Sequence, residues 1–203
     1  MADDIPAERH VYGRIDAPVT VVEFGDLECP YCRAAAPALR ELVDTSDGQV
    51  RLVWRHFPLF EVHPYALSAA LAAEAAGTHG KFWEMHDELM SHQDRLSEQD
   101  LRAAARALGI DPAEVAGEGA QAYAPAISAD YAAGIELGVR GTPTVFVGGA
   151  RYHGKVTLDR LRDAVEAARA RPSAIPRPIP RPAPVTSAVL IAPPRPHRAA
   201  GRA

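Results

Sequence analysis

Val19 to Phe24 is an apolar run broken only by Thr20 and Glu23, the pattern of a strand buried on both faces. Past Cys29 the period changes. Pro30 suits a first helical position, and Ala35, Leu39, Leu42 and Val43 recur as one stripe of a helix. Val50 to Phe57 reads as a second strand, so the chain opens with a βαβ unit whose parallel strands need that helix as a crossover.

A long helical stretch follows. Ala66 to Ala76 is alanine-rich, and Phe82, Met85, His86 and Leu89 return at helical spacing. Ser97 is placed to cap a helix holding Leu101 and Leu108. Asp111-Pro112-Ala113-Glu114 offers a cap, a first-turn proline and a reciprocal acid. Ile127, Tyr131 and Ile135 form the next stripe, ended by Gly138. Thr144 to Val147 and Ala150 to His153, joined by Gly148-Gly149, carry a hairpin signature. A closing helix holds Leu158, Leu161 and Val165. The order is βαβ, a helical block, then ββα: an α/β unit with a helical unit inserted. The expected limits are an arm over 1–13, the α/β unit over 14–62 and 139–171, and the insertion over 63–138.

Composition changes the picture at the C-terminus. Nine of the 18 prolines lie in residues 172–203, which also hold five arginines and no acid. Proline removes the backbone donor that helix and sheet require, so this stretch reads as an extended, solvated tail. The chain's formal charge is −4, which leaves −9 on residues 1–171 and disfavours nucleic acid as the body's partner. No apolar run reaches the roughly 18 residues that span a membrane. The acidic start, Met1-Ala2-Asp3-Asp4, lacks the apolar core of a signal peptide. A cytoplasmic location is the expectation, or an extracytoplasmic one if the chain is a trimmed form.

The candidate chemistry is Cys29-Pro30-Tyr31-Cys32, which holds both cysteines of the chain. Two thiols so spaced can close a disulfide across one helical turn. The first meets the unpaired N–H groups and positive dipole end of the helix, which favour its thiolate. Cys29 is the expected nucleophile and Cys32 the resolving thiol. The pair could instead be half of a zinc site, but no second cysteine pair supplies the remaining ligands. Chance spacing of two core cysteines is the other alternative.

With these residues in view, the chain resembles the DsbA-like thioredoxin-fold proteins, and most of all the subgroup also found attached to sodium–proton antiporters. The likeness rests on Val21 to Cys32 (VVEFGDLECPYC), Arg55 to Leu59 (RHFPL), Phe82 to His86 (FWEMH) and Gly141 to Val147 (GTPTVFV). It implies a thioredoxin-like fold with an inserted helical domain, and disulfide exchange with protein or peptide thiols without a bound cofactor. Glutathione or a thioredoxin-type protein would be the redox partner. The resemblance also implies a cis bond between Thr142 and Pro143, with both residues binding substrate beside Pro30 and Tyr31. It assigns Glu23 the role of a buried acid moving a proton for Cys32, which agrees with the raised pKa expected of a carboxyl in an apolar strand. A solvent-facing Glu23 at a sheet edge is the alternative.

Arg55, on the neighbouring strand, is a candidate partner for Glu23. Asp26 and Glu28 read as a solvated acidic loop that would oppose a Cys29 thiolate. His86 sits on a stripe that reads as core, and Pro37 as a helix-kinking structural residue. Tyr31 stands where the best-known periplasmic oxidases of the family carry histidine. Two competing functions are a glutathione-linked enzyme of related fold, since glutaredoxins share Cys-Pro-Tyr-Cys, and a chaperone-like peptide-binding module that needs no thiols.

Overall fold

The computed structural model describes residues 9–170; the Pro/Arg-rich tail read over 172–203 lies outside them. The strands are β1 (Val11–Tyr12), β2 (Val19–Gly25), β3 (Val50–His56), β4 (Thr144–Val147) and β5 (Ala150–Arg151). The helices are α1 (Pro30–Asp44), α2 (Ala66–Thr78), α3 (Phe82–Ser91), α4 (Glu98–Ala107), α5 (Pro112–Val115), α6 (Ala124–Glu136) and α7 (Leu158–Arg169), with a 3-10 turn over Gly119–Tyr123. One mixed sheet runs in the order β1-β3-β2-β4-β5. The β2–β3 pair is parallel and the other pairs are antiparallel. Helices α2 to α6 fall between β3 and β4, as an inserted helical unit in a thioredoxin-like fold.

The pleat decides what each residue of β2 meets. Alternate side chains leave a strand on opposite faces. Val19 and Val21 join Leu39 and Leu42 of α1 and Leu161 and Val165 of α7 in one core. Glu23 shares their parity. Phe24 is on the other face and packs with Phe57, Val139 and Phe146. The alternation of β3 is in register, so Trp54 lies opposite Glu23 and Arg55 opposite Phe24. The Trp54 ring also sweeps under Gly25, where a Cβ would come within 2.2 Å of it.

Several local signals act as read. Ser97 forms a reciprocal capping box with Asp100. Gly148 and Gly149 both take positive φ, as a two-residue hairpin turn requires. Gly138 (φ 74°) terminates α6. Others differ. The Asp111 side chain caps α5 through the Ala113 N–H, but Glu114 pairs with His79 instead of returning to the cap. The expected stripe on α6 is rotated: Ile135 is 55% exposed, while Ile127, Asp130, Ala133 and Gly134 face inward. The N-terminal arm contributes β1, which pairs with the edge of β3 and is too short to show periodicity.

Asp130 explains the rotation of α6. Its carboxylate is buried, pairs with Arg9 and Arg55, and accepts the His56 backbone N–H. A buried carboxylate is tolerated where charge and hydrogen bonds compensate it. Helix α6 therefore turns this acid inward and leaves Ile135 outside.

Candidate active site

Cys29 is the N-cap of α1, extended at φ −75° and ψ 121°, with Pro30 in the first helical turn. Its N–H donates to the Asp26 carbonyl. Its carbonyl accepts from Arg33 N–H and from the Gln93 side-chain amide, which also reaches the Leu27 carbonyl, each side-chain bond being 2.9 Å. Gln93 thus ties the first turn of α1 to the helical unit. Both cysteines are free thiols. Cys29 Sγ donates to the Thr142 carbonyl at 3.5 Å, and Cys32 Sγ accepts the Asp26 N–H at 3.5 Å. The Thr142–Pro143 bond is cis, and β4 begins at the next residue.

Pro30 and Tyr31 lie on the open side, Tyr31 being 73% exposed. Thr142 and Pro143 are half-buried across the cleft from Cys29. The Thr142 hydroxyl is enclosed without a hydrogen-bond partner in this dithiol form. Pro37 lies inside α1 with its side chain exposed.

The two thiols are electrostatically opposite. Hydrogen bonding from the Cys32 thiol is the largest influence on Cys29. Aided by the N–H groups of Cys32 and Tyr31, it brings the Cys29 pKa down to about 5 despite burial. Cys32 is driven up, first by burial, then by its bond to Cys29 and by the Glu23 carboxylate. Glu23 is 1% exposed, flanked in the sheet by Trp54 and Val145, and has one carboxyl oxygen without a partner. Burial, then the Cys29 charge, raises its pKa to about 8. The reading of Glu23 as an edge residue therefore does not hold.

Two sequence expectations need correction. Arg55 does not meet Glu23: the pleat puts it on the opposite face, where it pairs with Asp130 at 2.8 Å. Asp26 is not solvated. Its side chain is enclosed and accepts from the Glu28 N–H, the Leu59 N–H and His63 Nδ1. Glu28 accepts the Tyr65 N–H. His86 is buried against Trp54 and Trp83, its Nδ1 is bonded to Asp87, and burial lowers its pKa.

Among the described residues, His10, His56 and Glu74 bring three potential metal donors within 4.8 Å of one another. The Glu74 and His10 donors are already engaged, and His56 presents a proton rather than a lone pair. Arg9 Nη2 lies 3.0 Å from the Glu74 oxygen that also meets His10. The Trp54 indole N–H donates to His56 Nδ1, so the proton of a neutral His56 is on Nε2, facing Glu74 at 3.3 Å. The cluster is a buried ion network and does not fit a metal.

Fold and site together define a thioredoxin-fold protein with a paired thiol at a helix N-terminus, facing a cis-proline loop. A family model described as thioredoxin matches residues 6–167, and the chain belongs to that family, among its DsbA-like members. The protein named Na(+)/H(+) antiporter NhaA 1 from Salinispora arenicola is 49% identical over 166 residues, which cover 81% of this chain and 25% of that protein. The chain thus spans about a quarter of the length of the curated relatives it matches. A thioredoxin-like oxidoreductase from Silicibacter pomeroyi superposes with a TM-score of 0.71 at 34% identity, over 83% of this chain and 95% of that one. The thiol-disulfide exchange protein alpha-DsbA2 from Wolbachia pipientis shares the fold, with a TM-score of 0.69 at 24% identity over 79% and 86% of the two chains. Among the described residues, no helix is long and apolar enough to cross a membrane.

Proposed function

We propose that the chain is a thiol–disulfide oxidoreductase acting on protein or peptide substrates through Cys29 and Cys32. The observation that carries this reading is the placement of the two thiols: Cys29 caps α1 with its Sγ against the Thr142 carbonyl of the cis-proline loop, and Cys32 lies buried inside α1. The outer one is acidified to about 5, while the inner one is held protonated beside a carboxyl whose pKa is about 8.

In the reducing direction the Cys29 thiolate attacks a substrate disulfide. One substrate sulfur leaves as a thiolate, and the other is bonded to Cys29. Cys32 then gives its proton to the Glu23 carboxylate and attacks Cys29. The mixed disulfide breaks, the Cys29–Cys32 disulfide forms, and the second substrate thiolate departs. The oxidising direction is the reverse: a substrate thiolate attacks Cys29, and Cys32 leaves and recovers a proton from Glu23. The low pKa of Cys29 then makes it a good leaving group when the second substrate thiol closes the new disulfide.

Thr142 and Pro143 offer an inner wall for an extended substrate chain, and Pro30 and Tyr31 an outer one. Glutathione or a thioredoxin-type protein would restore the starting redox state, and the poise of the compartment sets the net direction. In a reducing cytoplasm the pair rests as a dithiol. In an extracytoplasmic, oxidising setting it passes its disulfide on.

The test is recovery of native disulfides by a reduced, unfolded substrate protein in a glutathione buffer. Wild-type protein should accelerate recovery, and Cys29→Ser should return the rate to that of the buffer. Acceleration that survives Cys29→Ser would remove the reading.

A further inference from the structure

The residue touching Cys32 from the sheet side is Asp26, through its backbone. Asp26 N–H points at Cys32 Sγ at 3.5 Å, and the Asp26 carbonyl accepts the Cys29 N–H at 3.1 Å. Its peptide groups therefore meet both halves of the thiol pair. The Asp26 side chain fixes where those groups sit. It is 0% exposed, so its carboxylate is sustained by what surrounds it. Oδ1 accepts the Glu28 N–H at 2.8 Å; Oδ2 accepts the Leu59 N–H at 2.9 Å and His63 Nδ1 at 2.8 Å. Two of these donors are backbone groups whose place follows from the chain path. His63 is the side-chain donor, reaching in from the segment between β3 and α2 with 18% of its side chain exposed.

We infer that His63 is a positioning residue for the Cys32 half of the exchange, acting through the Asp26 carboxylate to hold the Asp26 N–H against Cys32 Sγ. The inference rests on the reading of Cys32 as the resolving thiol. During resolution Cys32 carries negative charge in a site where burial opposes it. The Asp26 N–H is the group that eases it. A backbone donor is worth most when it is already aimed and pays no reorganisation as charge develops. Without His63, Oδ2 keeps only the Leu59 N–H, and a buried carboxylate short of donors rotates or draws in water. Asp26 reaches Cys29 only at its N–H and not at its sulfur, which is held by Cys32, the Thr142 carbonyl and its own helix turn, so the Cys29 step depends on this far less.

The two halves can be timed separately. A chromogenic aromatic disulfide releases one coloured thiolate when Cys29 attacks it and a second when Cys32 resolves the mixed disulfide. His63→Ala should slow the second release about tenfold and leave the first within about twofold. His63→Asn, whose side-chain amide nitrogen can take the place of Nδ1, should restore most of the second rate. If His63→Ala does not fold, His63→Asn and His63→Met make the same comparison, one keeping the donor and the other the volume. Equal slowing of both releases would overturn the inference, as would an unchanged second release or no recovery with Asn. A first release that persists in Cys29→Ser would instead strike the proposed function, and with it the inference that rests on that reading.

Discussion

The Cys29 thiol donates to the carbonyl oxygen of Thr142, 3.5 Å away across 113 residues of sequence. This contact brings the first turn of α1 against the loop that opens β4. It is a consequence of sheet order: β4 pairs with β2, and β2 leads directly into the active-site turn. A substrate chain entering this cleft would meet the sulfur and the loop together.

The pH dependence of stability should differ between the redox states. Glu23 is raised from 4.5 to about 8, so between those values the folded protein keeps a proton that the unfolded chain has lost. Its contribution falls as pH rises through that window. Cys29 is lowered from 9.0 to about 5, so in the reduced protein the folded state has lost a proton that the unfolded chain keeps. That contribution rises with pH from about 5 to 9 and disappears as pH falls through about 5. The two oppose each other in the dithiol form, and only Glu23 acts in the disulfide form. In the disulfide form burial alone raises Glu23, so urea denaturation should show the oxidised protein losing stability as pH rises above 4.5, and Glu23→Gln abolishing that loss. Parallel slopes in both redox states would count against the assignment.

Glu23→Gln should also slow the Cys32 step while leaving Cys29 attack intact, because glutamine can neither take nor return a proton. Single-turnover release of both substrate thiolates would show it. An unchanged second rate near neutral pH would take Glu23 out of the proton path.

The reduction potential follows from the thiolate. A Cys29 pKa of about 5 lies between the ~7 of thioredoxin and the ~3.5 of the strongest DsbA-type oxidant. The potential should lie between theirs, on the order of −150 to −240 mV. Equilibration with glutathione buffers measures it, and a value near about −120 mV would mean stronger thiolate stabilisation than these contacts provide.

Asp130→Ala should be among the most damaging substitutions away from the thiols. It removes the carboxylate shared by Arg9 and Arg55 and the acceptor of the His56 N–H. Breaking a buried ion pair from one side costs about 3–5 kcal/mol. Chemical denaturation should show a loss of this size, and a loss under about 1 kcal/mol would mean that water replaces the carboxylate.

Much of this was legible from the chain. The run Val19 to Phe24, the stripe Ala35, Leu39, Leu42, Val43 and the glycine pair at 148–149 each obey a local period or turn rule, and the paired cysteines sit where those rules place a helix start. Asp26, His63, Gln93 and Asp130 were not read in their structural roles. Apart from the Glu28 N–H on Asp26, the partners that fix those roles lie 33 to 121 positions away in sequence. Asp130 did leave a trace: it falls three residues after Ile127, on the face of α6 that turns inward. Arg55 sits on the strand beside Glu23, but the alternation of the pleat turns it to the opposite face, where Asp130 meets it. β1, only two residues long, carries no periodic signal at all.

The most direct test of the account is alkylation of the fully reduced protein as a function of pH, with the modified cysteine located by mass spectrometry. Cys29 should react first at every pH, with a rate that rises through an apparent pKa of about 5, while Cys32 stays unmodified in the folded protein. Modification of Cys32 first, or a Cys29 rate that rises only near the ordinary thiol value of about 8.5, would contradict it.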